Sequence, residues 1–216
     1  MKGLIYLFVI TIFLSCNNER VLELPEIENA EITEVLDVSP AYIFYDETQP
    51  DSTLFNRKNL IGTTNWLVNV DKRLTLKQAI PHIQYLQDKR KKASMHKNEA
   101  AKNYFTCNDN SIKNLGFIEF TDVNYSDSSE ISQDNKTCIM TVNSFKEITF
   151  SSSSDLNISF SKENFSSVLP VLKSEFGESI KLILSFNESL SFQDYITIKS
   201  NLATFQNSIS NNEFIY

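Results

Sequence analysis

Apolar residues along the chain fall into short runs, some with the spacing of strands and some with that of helices. Trp66, Val68 and Val70 alternate with polar neighbours and predict a strand over 66–71. Ala41 to Tyr45 predicts another, ended by Asp46, Glu47 and Pro50. Thr75 with Gln78 then forms a capping box. Leu76, Ala79, Ile80, Ile83 and Leu86 follow as a helical stripe that fades through Lys89-Arg90-Lys91-Lys92. Tyr104–Cys107 and Gly116–Tyr125 predict strands, and 126–136 is polar. Beyond it, Cys138–Phe145 and Glu147–Phe150 are strand-like, and Leu156, Ile158 and Phe160 alternate. Ser161 can cap a helix carrying Phe165, Val168, Leu169, Leu172 and Phe176, stopped by Gly177. Ile180–Phe186 reads as a buried strand. Phe192, Tyr195, Ile196, Leu202 and Phe205 suit another helix, and Phe214–Tyr216 a last edge strand. The mixture predicts an α+β fold: mixed sheet with helices on one face, in modules 38–125 and 138–216 joined by a linker over 126–137.

The first residues read as a processing signal. Lys2 precedes an uncharged run from Leu4 to Leu14, shorter than the roughly 20 residues of a membrane span. A positive start, a short apolar run and a small residue describe a secretory signal peptide, here residues 1–15. Phe13-Leu14-Ser15-Cys16 resembles a bacterial lipobox, cut before a cysteine whose sulfur receives diacylglycerol. The match rests on Ser15 and Cys16 and departs at Phe13, where Leu is usual. The resemblance implies a Bacteroidetes-like lipoprotein of the cell envelope, lipid-anchored at Cys16 to the outer membrane and facing the periplasm. Acyl burial gives about 0.8 kcal/mol per CH₂, so stable anchoring takes more than one chain, as a triacylated cysteine provides. Residues 16–37 carry Glu19, Glu23, Glu26, Glu28, Glu31, Glu34 and Asp37 and read as an acidic tether.

The halves can be laid over each other. Ala79-Ile80-Pro81-His82-Ile83 aligns with Val168-Leu169-Pro170-Val171-Leu172, and further on Phe117-Ile118 with Tyr195-Ile196. The alternative is that any two strand-helix-strand units share such patterning. Residues 156–216, with Asn187-Glu188-Ser189-Leu190-Ser191-Phe192 after an apolar strand, resemble the periplasmic domain of the biopolymer-transport ExbD/TolR family. That family carries an Asp where this chain has Asn187, and a transmembrane helix absent here. The resemblance implies a small α+β module that docks onto envelope partners, and no proton-driven chemistry.

A net charge of −7 and a pI near 4.9 argue against nucleic-acid binding, which needs clustered Lys and Arg. With Cys16 lipidated, Cys107 and Cys138 remain, 31 positions apart. They form either a disulfide, closing a loop worth roughly 3–4 kcal/mol, or two buried thiols. No C-x-x-C, G-x-S-x-G or glycine-rich phosphate loop occurs, and His82 and His96 do not sit one turn apart, so no metal, cofactor or catalytic residue is assigned. The run Lys89, Arg90, Lys91, Lys92, with Lys97, is the positive patch of an acidic chain. It is either a surface for an anionic partner or a solvated helix end. The sequence predicts a non-enzymatic envelope lipoprotein that binds a protein or envelope component. The alternative is a lipoprotein enzyme acting on a glycan or peptidoglycan through carboxylates in a cleft.

Overall fold

The computed structural model describes residues 20–92, 98–127, 137–152, 158–160, 170, 174 and 181–216. The fold is α+β, with two six-stranded sheets. The first holds β1 (Glu26–Ile27), β2 (Val38–Tyr45), β3 (Thr53–Asn56), β4 (Asn65–Val70), β5 (Asn103–Asp109) and β6 (Asn114–Glu119), with helix α1 (Leu76–Lys92) between β4 and β5. The second holds β7 (Asn124–Asp127), β8 (Thr137–Ser144), β9 (Glu147–Ser152), β10 (Ile158–Phe160), β11 (Lys181–Phe186) and β12 (Ile209–Ile215), with α2 (Phe192–Asn201) between β11 and β12. Of the helix predicted from Ser161 to Phe176, Pro170 and Ser174 are helical and the rest lies outside the described residues.

Both sheets share one plan. An antiparallel hairpin, β2–β3 or β8–β9, is followed by two strands parallel to its first member, β4 and β5 or β11 and β12. A helix crosses between those two strands. The register is common too: Ile43 pairs with Val70 as Val142 pairs with Phe186. Pro40 fits inside β2 because neighbouring Asp37 and Ile43 turn their carbonyls to the β4 side. Its missing N–H therefore faces the other side, where β3 pairs only from Tyr42 onward.

The sequence left a repeat open; the two sheets share a topology, but in a different alignment from the apolar match. By strand order α1 corresponds to α2, whereas the apolar match had set α1 against residues 168–172. The connection before the third strand spans 57–64 in one unit and 153–180 in the other, and that unequal insert hides the repeat. Asp71-Lys72-Arg73-Leu74-Thr75-Leu76 corresponds to Asn187-Glu188-Ser189-Leu190-Ser191-Phe192. Both segments fold alike: the Arg73 amide donates to Asp71 Oδ1 at 3.1 Å, and the Ser189 amide to Asn187 Oδ1 at 2.8 Å.

The two segments also pair with each other about a pseudo-two-fold axis. Leu76 N–H donates to Leu190 O (2.9 Å) and Phe192 N–H to Leu74 O (2.7 Å). Lys77 N–H donates to Glu188 O (2.9 Å) and Gln193 N–H to Lys72 O (3.2 Å). These are helix-start amides, the donors that an isolated helix leaves without partners. Each helix thus caps the other, helped by its own box: Thr75 N–H to Gln78 Oε1 (2.9 Å) and Asp194 N–H to Ser191 Oγ (3.1 Å). Leu74, Leu76, Leu190 and Phe192 are buried at this axis, in a single core that runs through both sheets.

The stretch expected to be a free tether over 16–37 is, from Glu23 to Ile32, part of the fold. Lys72 N–H donates to Glu23 O (2.8 Å), Asn108 N–H to Pro25 O (2.8 Å), Asn110 N–H to Ile27 O (3.0 Å) and Phe117 N–H to Ile32 O (2.9 Å). Gln193 clamps Glu26 on both sides, accepting from its amide (2.8 Å) and donating to its carbonyl (2.9 Å). The apolar residues between the acids explain this, since Pro25 and Ile27 are buried. Gly116 lets the strap lie flat, because a Cβ there would fall 2.5 Å from Ala30 Cβ. The last strand also differs from expectation. β12 is no edge, because β7 pairs beyond it, and β7 ends at Asp127 in the segment read as a linker.

Candidate functional site

The site begins with residues on α1. Helical spacing puts His82, Tyr85 and Lys89 on one side of α1, and Phe55 of β3 packs against it, 4.7 Å from the His82 ring and 6.0 Å from Tyr85. Just past β3, the Arg57 guanidinium lies 4.3 Å from the Tyr85 ring centre and 5.1 Å from Phe55. Stacking of this kind holds the cation in place and leaves its N–H groups free for an acceptor. Arg20, Arg57, Lys58 and Lys89 converge on a cleft of about 580 Å³, completed by Leu54, Phe55 and Asn56. Among the described residues no carboxylate lines it; Arg20 reaches Asp46 outside it at 3.7 Å. In a chain of net charge −7, four cations around one cleft are a local reversal of sign.

The predicted basic patch is rearranged accordingly. Lys89 joins the cleft. Arg90 turns inward, where its Nε donates to Asn103 Oδ1 (2.7 Å) and its Nη2 to Thr64 O (3.1 Å), while its Cζ stacks 4.0 Å from the Trp66 ring. Burial pushes its pKa down to about 10. Arg90 is thus a buried strut between α1, β5 and the loop before β4, and not a surface cation. Lys91 and Lys92 are exposed, Lys91 beside a shallow polar hollow with Asp88 and Asn124. Lys97, His96 and Cys16 lie outside the described residues.

Two other constellations remain structural. The Thr53 hydroxyl donates to Asp51 Oδ2 (2.6 Å) and lies 3.2 Å from His82 Nε2. Its proton is committed to Asp51, so Nε2 is the donor of the second bond, the reverse of what a base activating a hydroxyl requires. Burial lowers the His82 pKa, with Asp51 opposing. Asp71 is fully buried at the end of β4. Burial pushes its carboxyl up, but the Arg73 side chain (2.7 and 2.8 Å) and the amides of Arg73 and Glu23 outweigh this and hold it below its ordinary value. Among the described residues no three His, Cys, Asp or Glu side chains gather to hold a metal ion.

Cys107 and Cys138 are not joined. Both are buried free thiols, one in β5 and the other in β8 of the opposite sheet. Burial, with Asp109 adding to it, pushes the Cys107 thiol up to about 12, and burial pushes Cys138 up to about 11. Neither thiolate forms near neutrality, so neither is a nucleophile. Native protein treated with Ellman's reagent at pH 8 is expected to show neither thiol, and denatured, non-reduced protein to show both, apart from Cys16. Zero released on denaturation would establish the disulfide instead.

Arg20, Arg57 and Lys58 were missed in the sequence. The pair Arg57-Lys58 is visible there, but only packing of β3 on α1 brings it to Lys89. No family model matches the chain, and no curated protein or solved structure shows significant similarity to it.

Proposed function

We propose that this is a lipid-anchored, non-catalytic protein of the cell envelope that binds an anionic envelope component in the cleft of Arg20, Arg57, Lys58 and Lys89. The observation that carries the reading is the convergence of those four cations beside the start of the folded body. Arg20 is four residues from Cys16. At roughly 3.3–3.6 Å per residue, an anchor on Cys16 lies within about 14 Å of it along the chain. With the next stretch docked from Glu23 onward, the cleft is held at the bilayer surface, where phosphate-bearing headgroups are concentrated. The lipobox resemblance supports the anchor, and the proposal places it at the outer membrane facing the periplasm.

The pseudo-two-fold axis also bears on the resemblance to ExbD/TolR periplasmic domains. The position where that family carries Asp is Asn187 in the second unit but Asp71 in the first. Among the described residues no helix is long and apolar enough to cross a membrane.

The test uses full-length protein in neutral detergent, titrated with dihexanoyl phosphatidate and, in parallel, dihexanoyl phosphatidylcholine. Saturable binding of the phosphatidate is expected. It should weaken with salt and fall at least about tenfold in Arg57→Ala/Lys89→Ala, roughly one charge-assisted contact or more. Metabolic palmitate labelling of the wild type but not of Cys16→Ala checks the anchor. Equal binding of both lipids, or an unchanged double variant, would overturn the cleft reading.

A further inference from the structure

A second cavity, of about 340 Å³, lies on the seam between the two units. Its walls come from three parts of the chain: the strap Ile27–Ile32, the β6 residues Phe117–Glu119, and the end of α2 with Leu202, Ala203 and Ile209. Volume and placement at the junction of two units match small-ligand sites. Ile27, Phe117, Leu202 and Ile209 supply apolar wall.

The charges around it have one sign to spare. Lys199 is held by Glu213, and Glu119 by Lys102 at 2.8 Å. Glu28 and Glu31 line the cavity from the strap, exposed and in no ion pair among the described residues. The end of α2 also lines the cavity, through Lys199, Ser200 and Asn201. The carboxylates favour a cation, while the wall favours an apolar body.

We propose that this seam cavity binds a small amphiphilic amine, its apolar part against Ile27, Phe117, Leu202 and Ile209 and its ammonium beside Glu28 and Glu31. The site is independent of the cationic cleft and selects the opposite charge. One wall is the strap that leads toward Cys16, so occupancy also braces the strap against β6.

The probes are 2-phenylethylammonium, 2-phenylethanol and 3-phenylpropionate, titrated into the full-length protein in neutral detergent by calorimetry. The ammonium is expected to bind saturably and at least about tenfold tighter than the propionate. In Glu28→Gln/Glu31→Gln, two exposed positions whose exchange leaves the core untouched, the ammonium should lose most of that advantage while the alcohol binds as before. Ala203→Trp, which fills the cavity, should abolish binding of all three. Equal binding of ammonium and propionate, an unchanged Glu28/Glu31 variant, or full binding to a folded Ala203→Trp protein would each overturn the proposal. None of these results touches phosphatidate binding, so the two sites stand or fall separately.

Discussion

Phe192→Ala is expected to cost about 3–5 kcal/mol, the range for emptying a large buried aromatic site. Phe192 is fully buried where the two units meet. Its ring stands edge-on to Phe105 at 5.3 Å and tilted against Tyr195 at 5.7 Å, and Phe105 is in turn stacked on Phe120 at 3.8 Å. Removing the ring opens a cavity bordered by both sheets, and the backbone bond from its amide to Leu74 O limits how far the site can collapse. At about 2–4 °C per kcal/mol for a chain of this length, thermal unfolding should fall by roughly 6–20 °C. Phe192→Leu is the informative control. Leu76 holds the equivalent place in the first unit, so leucine reproduces a side chain the axis already accommodates, and a cost of about 1–1.5 kcal/mol is expected, near the upper end for apolar exchanges that roughly keep volume. If the alanine variant unfolds within 1 kcal/mol of wild type, the two units do not share a core.

That axis shows what could and could not be read from the sequence. Strands with clear alternation are found where they are described: Trp66, Val68 and Val70 all turn to the core, and of the run from Leu156 the strand over 158–160 is described. The single strand read over Gly116–Tyr125 is instead two, β6 and β7, in different sheets. The capping box of Thr75 and Gln78 was legible as a local pattern, whereas the Ser191 cap of α2 was not read. What escaped were elements too short to carry a period, β1 and β3, whose positions depend on the strands beside them. Arg90 was misassigned although its position was readable. It continues the inward stripe of Ile83 and Leu86 at helical spacing, but charge alone placed it on the surface. The cleft was half visible: Lys89 and the Arg57-Lys58 pair stand apart in sequence and meet only through β3. The repeat was hidden because one copy carries a long insert, so matching apolar helices aligned the wrong pair. Glu213 and Ser210 hid the first part of β12, so that only Phe214–Tyr216 was read as strand, because a strand with buried polar residues has no apolar signature. Glu213 is buried against partners that come from α2, whereas Ser210 accepts from the Asn212 amide of its own strand.

An effect of similar size should come from that strand. Glu213 is fully buried, and its carboxylate accepts from Lys199 Nζ and from the Tyr195 hydroxyl at 2.8 Å, which in turn lies 3.1 Å from the Tyr125 hydroxyl. Burial and the Glu213 charge push both tyrosines well above their ordinary pKa, so they stay neutral. The network ties α2 and β12 to β7, the strand that closes this side of the sheet. Glu213→Ala leaves the Lys199 ammonium, 12% exposed, without its counter-charge and takes an acceptor from Tyr195. Breaking a buried pair in this way costs about 3–5 kcal/mol, against a total stability of roughly 5–15 kcal/mol. The pair as a whole is worth much less than this. Removing both charges spares the uncompensated one, so Lys199→Met/Glu213→Leu should recover most of the loss, and urea unfolding of wild type, Lys199→Met, Glu213→Leu and the double variant, as a double-mutant cycle, should give a coupling of at least about 2 kcal/mol. If the double variant is instead as unstable as the sum of the singles, the ion pair does not organise this strand, and the destabilisation of Glu213→Ala belongs to the lost tyrosine bond and packing alone.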